Sequence, residues 1–426
     1  MKDIKKPEFM KAALTARSHP AVLEMLIALL IFFVGSILMG VLQTPFLTVY
    51  LLKDQEYMRM IFSNSLDFNK IMNMMLAMPD WVMIANLFTE IAFIIIVILY
   101  CRLLEKRKLV TMGFRKKGMA VEYLRGIALG AAAFGMAYGI CVLTGSTVFH
   151  IVSSKGTTWL YILGFFFGYL VQGMAEEVIC RGYLLVSLSR RYSVTASVIL
   201  SAVFFAMLHG LNAGVGFLAF LNLALFGIFM GLLFVRYENI WVVGAVHSIW
   251  NFVQGNIFGI SVSGNKIQPS LFTSDMVKGR EFIHGGMFGA EGGLAVTIVL
   301  LFATALLIWN MSKEGYFIPA KPVINPYDNV LYGSYINQNM AQNQNNYTGQ
   351  DGIHNQNNNT GSNIGQNGNV FGENPNTFGS QNSPEQSAFS KAYENMGVNP
   401  EETPWHPKEE QEEKSMTAFD QNYFKD

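Results

Sequence analysis

Long apolar runs alternate with short polar stretches over roughly the first three quarters of the chain. A helix needs about 20 mostly apolar residues to span a bilayer, and helices satisfy their own backbone in lipid. By this rule the sequence predicts about eight spanning helices and an all-α, polytopic membrane helix bundle. The predicted segments are 21–42, 81–103, 126–148, 159–187, 194–212, 214–235, 240–258 and 292–311.

Basic residues indicate which loops face the cytoplasm. They cluster before the first segment and between the second and third, and others follow the fourth, sixth and eighth segments. Because loops rich in Lys and Arg stay inside, both termini are expected in the cytoplasm. The default location is a bacterial plasma membrane, with the loops 43–80 and 259–291 outside.

Composition divides the chain into three parts. Residues 1–20 form a cytoplasmic N-terminal segment, 21–311 the helical bundle, and 312–426 a tail dominated by Asn, Gln, Gly and Ser. Such a tail cannot bury enough apolar surface to offset its chain entropy, so we expect it to be disordered. Within it, Trp405, Tyr423 and Phe424 are candidate anchors for a cytoplasmic partner.

The overall composition excludes other classes of protein. The chain is 51% hydrophobic and 14% charged, and its formal net charge is zero. No basic domain is present, which argues against a nucleic-acid partner. The three cysteines lack Cys-x-x-Cys spacing, which argues against a disulfide framework or a thiolate zinc site.

Several polar residues lie inside the apolar segments, where an ionisable group costs several kcal/mol unless it is paired or hydrated. They are Glu176, Glu177 and Arg181, then His209, then His247 and Asn251. Residues four apart share one helix face, which places Glu177 beside Arg181, His247 beside Asn251 and Phe205 beside His209. Three helices turned inward therefore bring these groups into one pocket.

These motifs resemble a known family. Glu-Glu-x-x-x-Arg at 176–181, Phe-x-x-x-His at 205–209 and His-x-x-x-Asn at 247–251, in that order, are similar to the signature of the CPBP (CAAX protease and bacteriocin-processing, or Abi) intramembrane proteases. That family includes the type II CAAX prenyl endopeptidases. The likeness covers about residues 80–255, with a protease core at about 120–258.

The same residues supply the parts that amide hydrolysis needs: a base for water and donors for the oxyanion. We assign Glu176 and His209 to water activation, and His247 and Asn251 to the oxyanion. The resemblance implies the same division. Glu177 is then structural, held by Arg181, and Phe205 is a wall of the pocket. The substrate would be a membrane-embedded or membrane-anchored peptide or protein.

Other readings compete with this one. Glu176, His209 and His247 could bind Zn²⁺ with one position left for water, although metal-free glutamate catalysis that requires no cofactor is favoured. A non-catalytic scaffold or bacteriocin-immunity type of peptide-binding protein is the first alternative function. A proton-coupled transporter is the second, since intramembrane carboxylates and histidines also relay protons.

Three expectations concern the surroundings of the pocket. The Glu pair lies toward the cytoplasmic end of its long segment, which suggests access from that side. Glu90, deep in the second segment, is expected to be a packing partner or to line a lipid-side cavity. Glu24 lies close enough to a predicted interface to be hydrated.

Overall fold

The computed structural model describes residues 2–16, 18–63, 67, 69–71, 74, 78–151 and 156–319. The main helices are α1 (Ala21–Lys53), α2 (Gln55–Phe62), α3 (Asp80–Thr89), α4 (Ile91–Leu99), α5 (Met119–Leu143), α6 (Gly156–Glu177), α7 (Val194–Leu208), α8 (Phe217–Tyr237), α9 (Ile240–Phe252) and α10 (Leu294–Lys313). Helical turns continue α4 over Tyr100–Leu104, α6 over Val178–Leu185 and Val186–Ser189, and α9 over Val253–Ile257. The strands are β1 (Lys2–Ile4), β2 (Thr147–Ile151), β3 (Phe272–Met276) and β4 (Phe317–Pro319).

Every predicted segment coincides with a helix, so the all-α polytopic bundle is confirmed. Within the described ranges, six helices are long and apolar enough to cross a membrane: Ala21–Lys53, Asp80–Leu104, Met119–Leu143, Thr158–Ser189, Phe217–Tyr237 and Leu294–Lys313. The other two predicted segments are the shorter helices α7, with 15 residues, and α9, with 13. The predicted tail begins at residue 312, but residues 312–319 contain the end of α10 and strand β4. The rest of the predicted tail, with its aromatic residues, lies outside the part of the chain that the structure describes.

Helix α1 is longer than predicted. The predicted segment ends at residue 42, shortly before Pro45, which lacks a backbone donor. The helix instead continues through Pro45 to Lys53. The hydroxyl of Thr44 donates to the carbonyl oxygen of Gly40 at 2.8 Å, next to the carbonyl that lacks its usual partner, and the residues that follow are mostly apolar.

The first and last described segments meet on one face of the bundle. Strand β1 pairs antiparallel with β4, and the Asp3 carboxylate accepts hydrogen bonds from the Thr195 amide at 3.2 Å and its hydroxyl at 2.6 Å. Thr195 lies in the first turn of α7, where orphan backbone donors need acceptors. On the opposite face, β2 and β3 form a two-stranded antiparallel sheet.

Helix α9 is the centre of the bundle, and every residue from Ile240 to Asn251 except Trp241 is buried. It packs between α5 and α6, where glycines allow close approach. A Cβ atom at Gly126 would lie 2.4 Å from the Val242 carbonyl oxygen, and one at Gly173 would lie 2.6 Å from the Ser248 amide nitrogen. Small residues at such contacts are typical of membrane helix packing. Because α9 is enclosed by other helices, it need not have the length of a lipid-facing span.

A buried cluster of charges lies where α1, α4 and α6 meet on the face that carries β1. We call Glu24, Glu105, Arg107 and Arg190 the charged network. Arg190 Nη2 contacts Glu24 Oε1 at 3.1 Å and Glu105 Oε1 at 2.6 Å, and Arg107 Nε lies 3.1 Å from Glu105 Oε2. The hydroxyl of Tyr183 also donates to Glu24 at 3.0 Å. The expectation that Glu24 is hydrated is therefore wrong, because protein partners replace water around its carboxylate.

Candidate active site

Three helices bring the motif residues together. Glu176 and Glu177 lie at the end of α6, His209 caps the end of α7, and His247 and Asn251 lie on α9. As the sequence predicts, the two members of each pair spaced four residues apart lie on the same inward face of their helix. The structure places all six polar motif residues around one centre.

Glu176 is approached by both imidazoles. Its Oε2 atom lies 3.7 Å from His209 Nε2 and 3.7 Å from His247 Nε2. These separations are too long for direct hydrogen bonds, but one water molecule can bond to both members of either pair. Oε2 is itself buried and has no hydrogen-bond partner among the described residues. The other oxygen, Oε1, accepts from the side-chain amide of Gln172.

The backbone fixes the tautomer of neutral His209. Its Nδ1 atom lies 2.9 Å from the Phe205 carbonyl oxygen, which can only accept, so Nδ1 carries the proton. The opposite nitrogen, Nε2, then presents a lone pair toward Glu176. Two acceptors thus face each other across 3.7 Å, so a water molecule that bonds to both must sit to one side of the line that joins them.

Glu177 joins Arg181 and His247 in a fully buried position. Its Oε1 atom accepts from Arg181 Nη1 at 2.8 Å and contacts His247 Nδ1 at 2.9 Å. Both Glu177 and Arg181 have 0% side-chain exposure. Because this carboxylate oxygen acts as an acceptor, Nδ1 of His247 donates the hydrogen bond, and Nε2 can donate only when the ring is doubly protonated. Glu177 therefore does more than balance Arg181, because it also orients His247.

Aromatic rings surround these groups. The Phe205 ring is tilted against His209, with 4.7 Å between centroids, and meets His247 edge-on at 5.8 Å. The Arg181 guanidinium lies 4.9 Å from the centre of the Phe205 ring. Phe226 approaches His247 edge-on at 5.2 Å. Phe205 thus stands where the sequence places it, in the wall of the pocket.

Gln172 is a site residue that the sequence reasoning missed. Its amide oxygen accepts from Asn251 Nδ2 at 2.9 Å, while its amide nitrogen donates to Glu176. One side chain therefore orients both the carboxylate and the amide of the site. The signal was present, because Gln172 lies four residues before Glu176 and therefore on the same helix face.

The site opens into a cavity of about 240 Å³, which we call the polar cavity. Its walls include α6, α7 and α9, as the sequence predicts, and also α3, α8, α10 and the loop between α9 and α10. Glu90 and Glu291 line it together with Glu176. Glu90 therefore lies in the wall of the site itself, not on a lipid-side cavity. Burial raises the pKa of Glu291, while hydrogen bonds from the Ser263 amide and hydroxyl oppose that rise.

The cavity lies on the opposite side of the bundle from the expected entrance. Its lining includes Asn212, Ser263 and Asn265, which belong to loops on the face of the β2–β3 sheet. On the other side, the continuation of α6 over Val178–Leu185 is buried throughout. The cavity therefore opens on the side that the sequence predicts to be outside, and the expectation of cytoplasmic access finds no support.

The predicted metal ligands converge without forming a metal site. No group of three or more His, Cys, Asp or Glu side chains within the described ranges is placed to hold a metal ion. The 3.7 Å between Glu176 and each histidine exceeds the roughly 3.3 Å that separates ligands around tetrahedral zinc with bonds of about 2.0–2.1 Å. Metal ligation by Glu176, His209 and His247 would therefore require these side chains to move closer together, and it stays an alternative.

Fold and site together define a class: a multi-pass membrane protein whose helices enclose a carboxylate, two imidazoles and an amide beside a cavity. Residues 157–253 match the model of the Rce1-like type II CAAX prenyl endopeptidase family. The match confirms the resemblance inferred from the motifs, and it contains every predicted site residue. At the family level it supports an intramembrane endopeptidase. No curated protein and no solved structure shows a significant match.

Proposed function

We propose that this protein is an intramembrane endopeptidase in which Glu176 and His209 together activate a water molecule. The observation that carries the proposal is the pair of facing acceptors, Glu176 Oε2 and His209 Nε2, at 3.7 Å. A water bound between them loses a proton to either acceptor as its oxygen attacks the peptide carbonyl. The proton then passes to the leaving amine.

His247 and Asn251 stabilise the oxyanion in this proposal. A doubly protonated His247 donates from Nε2, and the contact with Glu177 favours that form by accepting from Nδ1. Asn251 offers the second N–H of its amide, since the first donates to Gln172. Preorganised donors of this kind are worth about 10²–10³ each in rate.

The reaction is metal-free in this proposal, with Zn²⁺ held by Glu176, His209 and His247 as the alternative. The substrates are membrane-embedded or membrane-anchored peptides, because the cavity lies among spanning helices. A plasma-membrane protein is the default in this proposal, and the charge distribution favours both termini in the cytoplasm. The pairing of β1 with β4 supports this, since it places the two ends of the bundle on one face.

The test is hydrolysis of a fluorescence-quenched peptide library by the purified full chain in lipid nanodiscs. We expect cleavage by the wild type and by Glu122→Gln, a control on an exposed ion pair with Arg125. Cleavage should be lost in Glu176→Gln and in His209→Ala, and a chelator should leave the wild type active. Undiminished cleavage in either variant overturns the assignment.

The remaining outcomes identify the alternatives. Activity that a chelator removes and Zn²⁺ restores supports the metal reading. Peptide binding without hydrolysis indicates a scaffold or immunity-type protein. Solute flux into liposomes without hydrolysis indicates a transporter.

A further inference from the structure

The polar cavity is lined by more carboxyl groups than basic side chains. Glu90, Glu176 and Glu291 line it together with His209 and His247, and its described lining contains no Lys or Arg. Arg181 does not line it, and its charge is already matched by Glu177. A cavity of this composition in a low-dielectric setting attracts a cationic group and repels an anionic one.

The three carboxylates differ in what they already contact. Glu291 accepts two hydrogen bonds from Ser263, at 2.8 Å and 2.9 Å. Glu176 is held by Gln172 beside the histidines. Glu90 lies at the junction of α3 and α4, and its side chain has no hydrogen bond or ion pair to the described residues. It is the carboxylate of the cavity that neither the fold nor the proposed chemistry uses.

Tyr169 provides an independent second observation. It lies on α6 two turns before Glu176, so it faces the same cavity. The residue is only 2% exposed, yet its hydroxyl has no hydrogen-bond partner among the described residues. Glu90 and Glu291 line the same cavity as Tyr169. A buried hydroxyl without a partner is costly, and a ligand that pairs with it relieves that cost.

We propose that Glu90 and Tyr169 form a subsite for a cationic side chain, Lys or Arg, of the substrate. This inference rests on the proposed protease function and names its substrate class. The Glu90 carboxylate accepts from the cation and carries the opposite charge, and the Tyr169 hydroxyl supplies a further acceptor. The apolar stem of the cation packs along neighbouring cavity walls such as Met83 and Leu87. A neutral residue would leave these polar atoms unpaired.

The experiment compares matched peptides on the purified full chain in nanodiscs. Each apolar fluorogenic peptide is made in two versions, with lysine or with norleucine at one position, and the position is scanned across the cleavage site. At the best position we expect kcat/KM to be at least about tenfold higher for lysine. Glu90→Gln should reduce this ratio to about one, and Tyr169→Phe should reduce it partly, mainly through KM. Glu281→Gln, an exposed carboxylate outside the cavity, should leave it unchanged.

Binding of the same peptides, measured by thermophoresis, separates the subsite from the chemistry. The wild type should bind the lysine version more tightly, and Glu90→Gln should remove the difference, whether or not any peptide is cleaved. Equal cleavage and equal binding of both versions by the wild type would overturn the proposed subsite. If that cleavage still depended on Glu176, the proposed protease function would be retained. A Glu90→Gln variant that loses kcat equally for both versions also overturns it, because that result indicates proton transfer by Glu90.

Discussion

The charged network and the polar cavity both bury ionisable groups, but they leave them in different states. In the charged network, Glu24, Glu105, Arg107 and Arg190 lie against one another, so each charge meets its opposite. In the polar cavity, Glu176 meets two imidazoles at 3.7 Å and keeps one oxygen unbonded within the described structure. Paired buried charge fixes a helix arrangement, whereas unpaired buried charge can react.

Glu177 and Arg181 share features of both regions. They form a paired and fully buried ion pair, as in the charged network, yet Glu177 also contacts His247. The pair therefore anchors the site to the bundle. Adjacent glutamates on α6 thus have separate roles, because a step of about 100° per residue points Glu177 toward Arg181 and α9 and Glu176 toward the cavity.

The largest expected effect is on the unpaired carboxylate. Glu176→Gln should lower kcat about 10³-fold, because the variant loses the base while keeping an oxygen that accepts from Gln172. Its thermal unfolding should match the wild type, since no ion pair is broken. Peptide hydrolysis and tryptophan-monitored unfolding measure the two quantities. A variant that unfolds early would mean that Glu176 is structural.

The opposite result is expected in the charged network. Arg190→Met leaves Glu24 and Glu105 without their shared cation and should destabilise the fold by about 3–5 kcal/mol. The rate per folded molecule should remain that of the wild type. Arg236→Met is the control, because its pair with Glu314 is partly exposed and is worth at most about 1 kcal/mol. Equal stability of the two variants would contradict the comparison.

Glu177→Gln should affect both properties. The variant leaves the Arg181 charge buried without its carboxylate and removes the anion that orients His247. We expect a loss of about 10–100-fold in kcat together with a lower unfolding temperature. Loss of stability with full activity would limit Glu177 to the ion pair that the sequence suggests.

A smaller effect is expected at Gln172. Gln172→Leu keeps the size of the side chain but loses the hydrogen bonds to Glu176 and Asn251, so kcat should fall about tenfold with KM little changed. Gln254→Leu is the matched control, since this buried glutamine donates to the Ser261 carbonyl and does not line the cavity. An equal loss of rate in the control would indicate general disturbance of the bundle.

Much of this architecture could be predicted from the chain alone. Apolar run length identified the helices, and spacings of four identified the faces that meet, because both follow from helix geometry and from the cost of charge in lipid. The length of α1 could not be predicted, since the helix continues through Pro45 to Lys53. The number of membrane-spanning helices could not be predicted either, because α7 and α9 are shorter than lipid-facing helices need to be.

The sequence identified motif residues that the structure brings together, but it did not identify the hydrogen bonds between them or the other side chains that line the cavity. Family motifs pointed to Glu176, His209, His247 and Asn251, whereas Gln172, Tyr169 and Glu90 belong to no motif. Their importance depends on which helices pack together, and a single sequence does not state that. Glu24 shows the same limit, since its partner Arg190 lies 166 residues away.

The central claim is that Glu176 and His209 act on one water molecule, and a double-mutant cycle tests it most directly. The kcat values of Glu176→Gln, of His209→Ala and of the double variant are compared with the wild type in the same nanodiscs. When two groups act as one unit, the losses of kcat caused by mutating each of them are strongly non-additive. The account predicts that the double variant is no slower than the slower single variant. Rate losses that multiply in the double variant would contradict it.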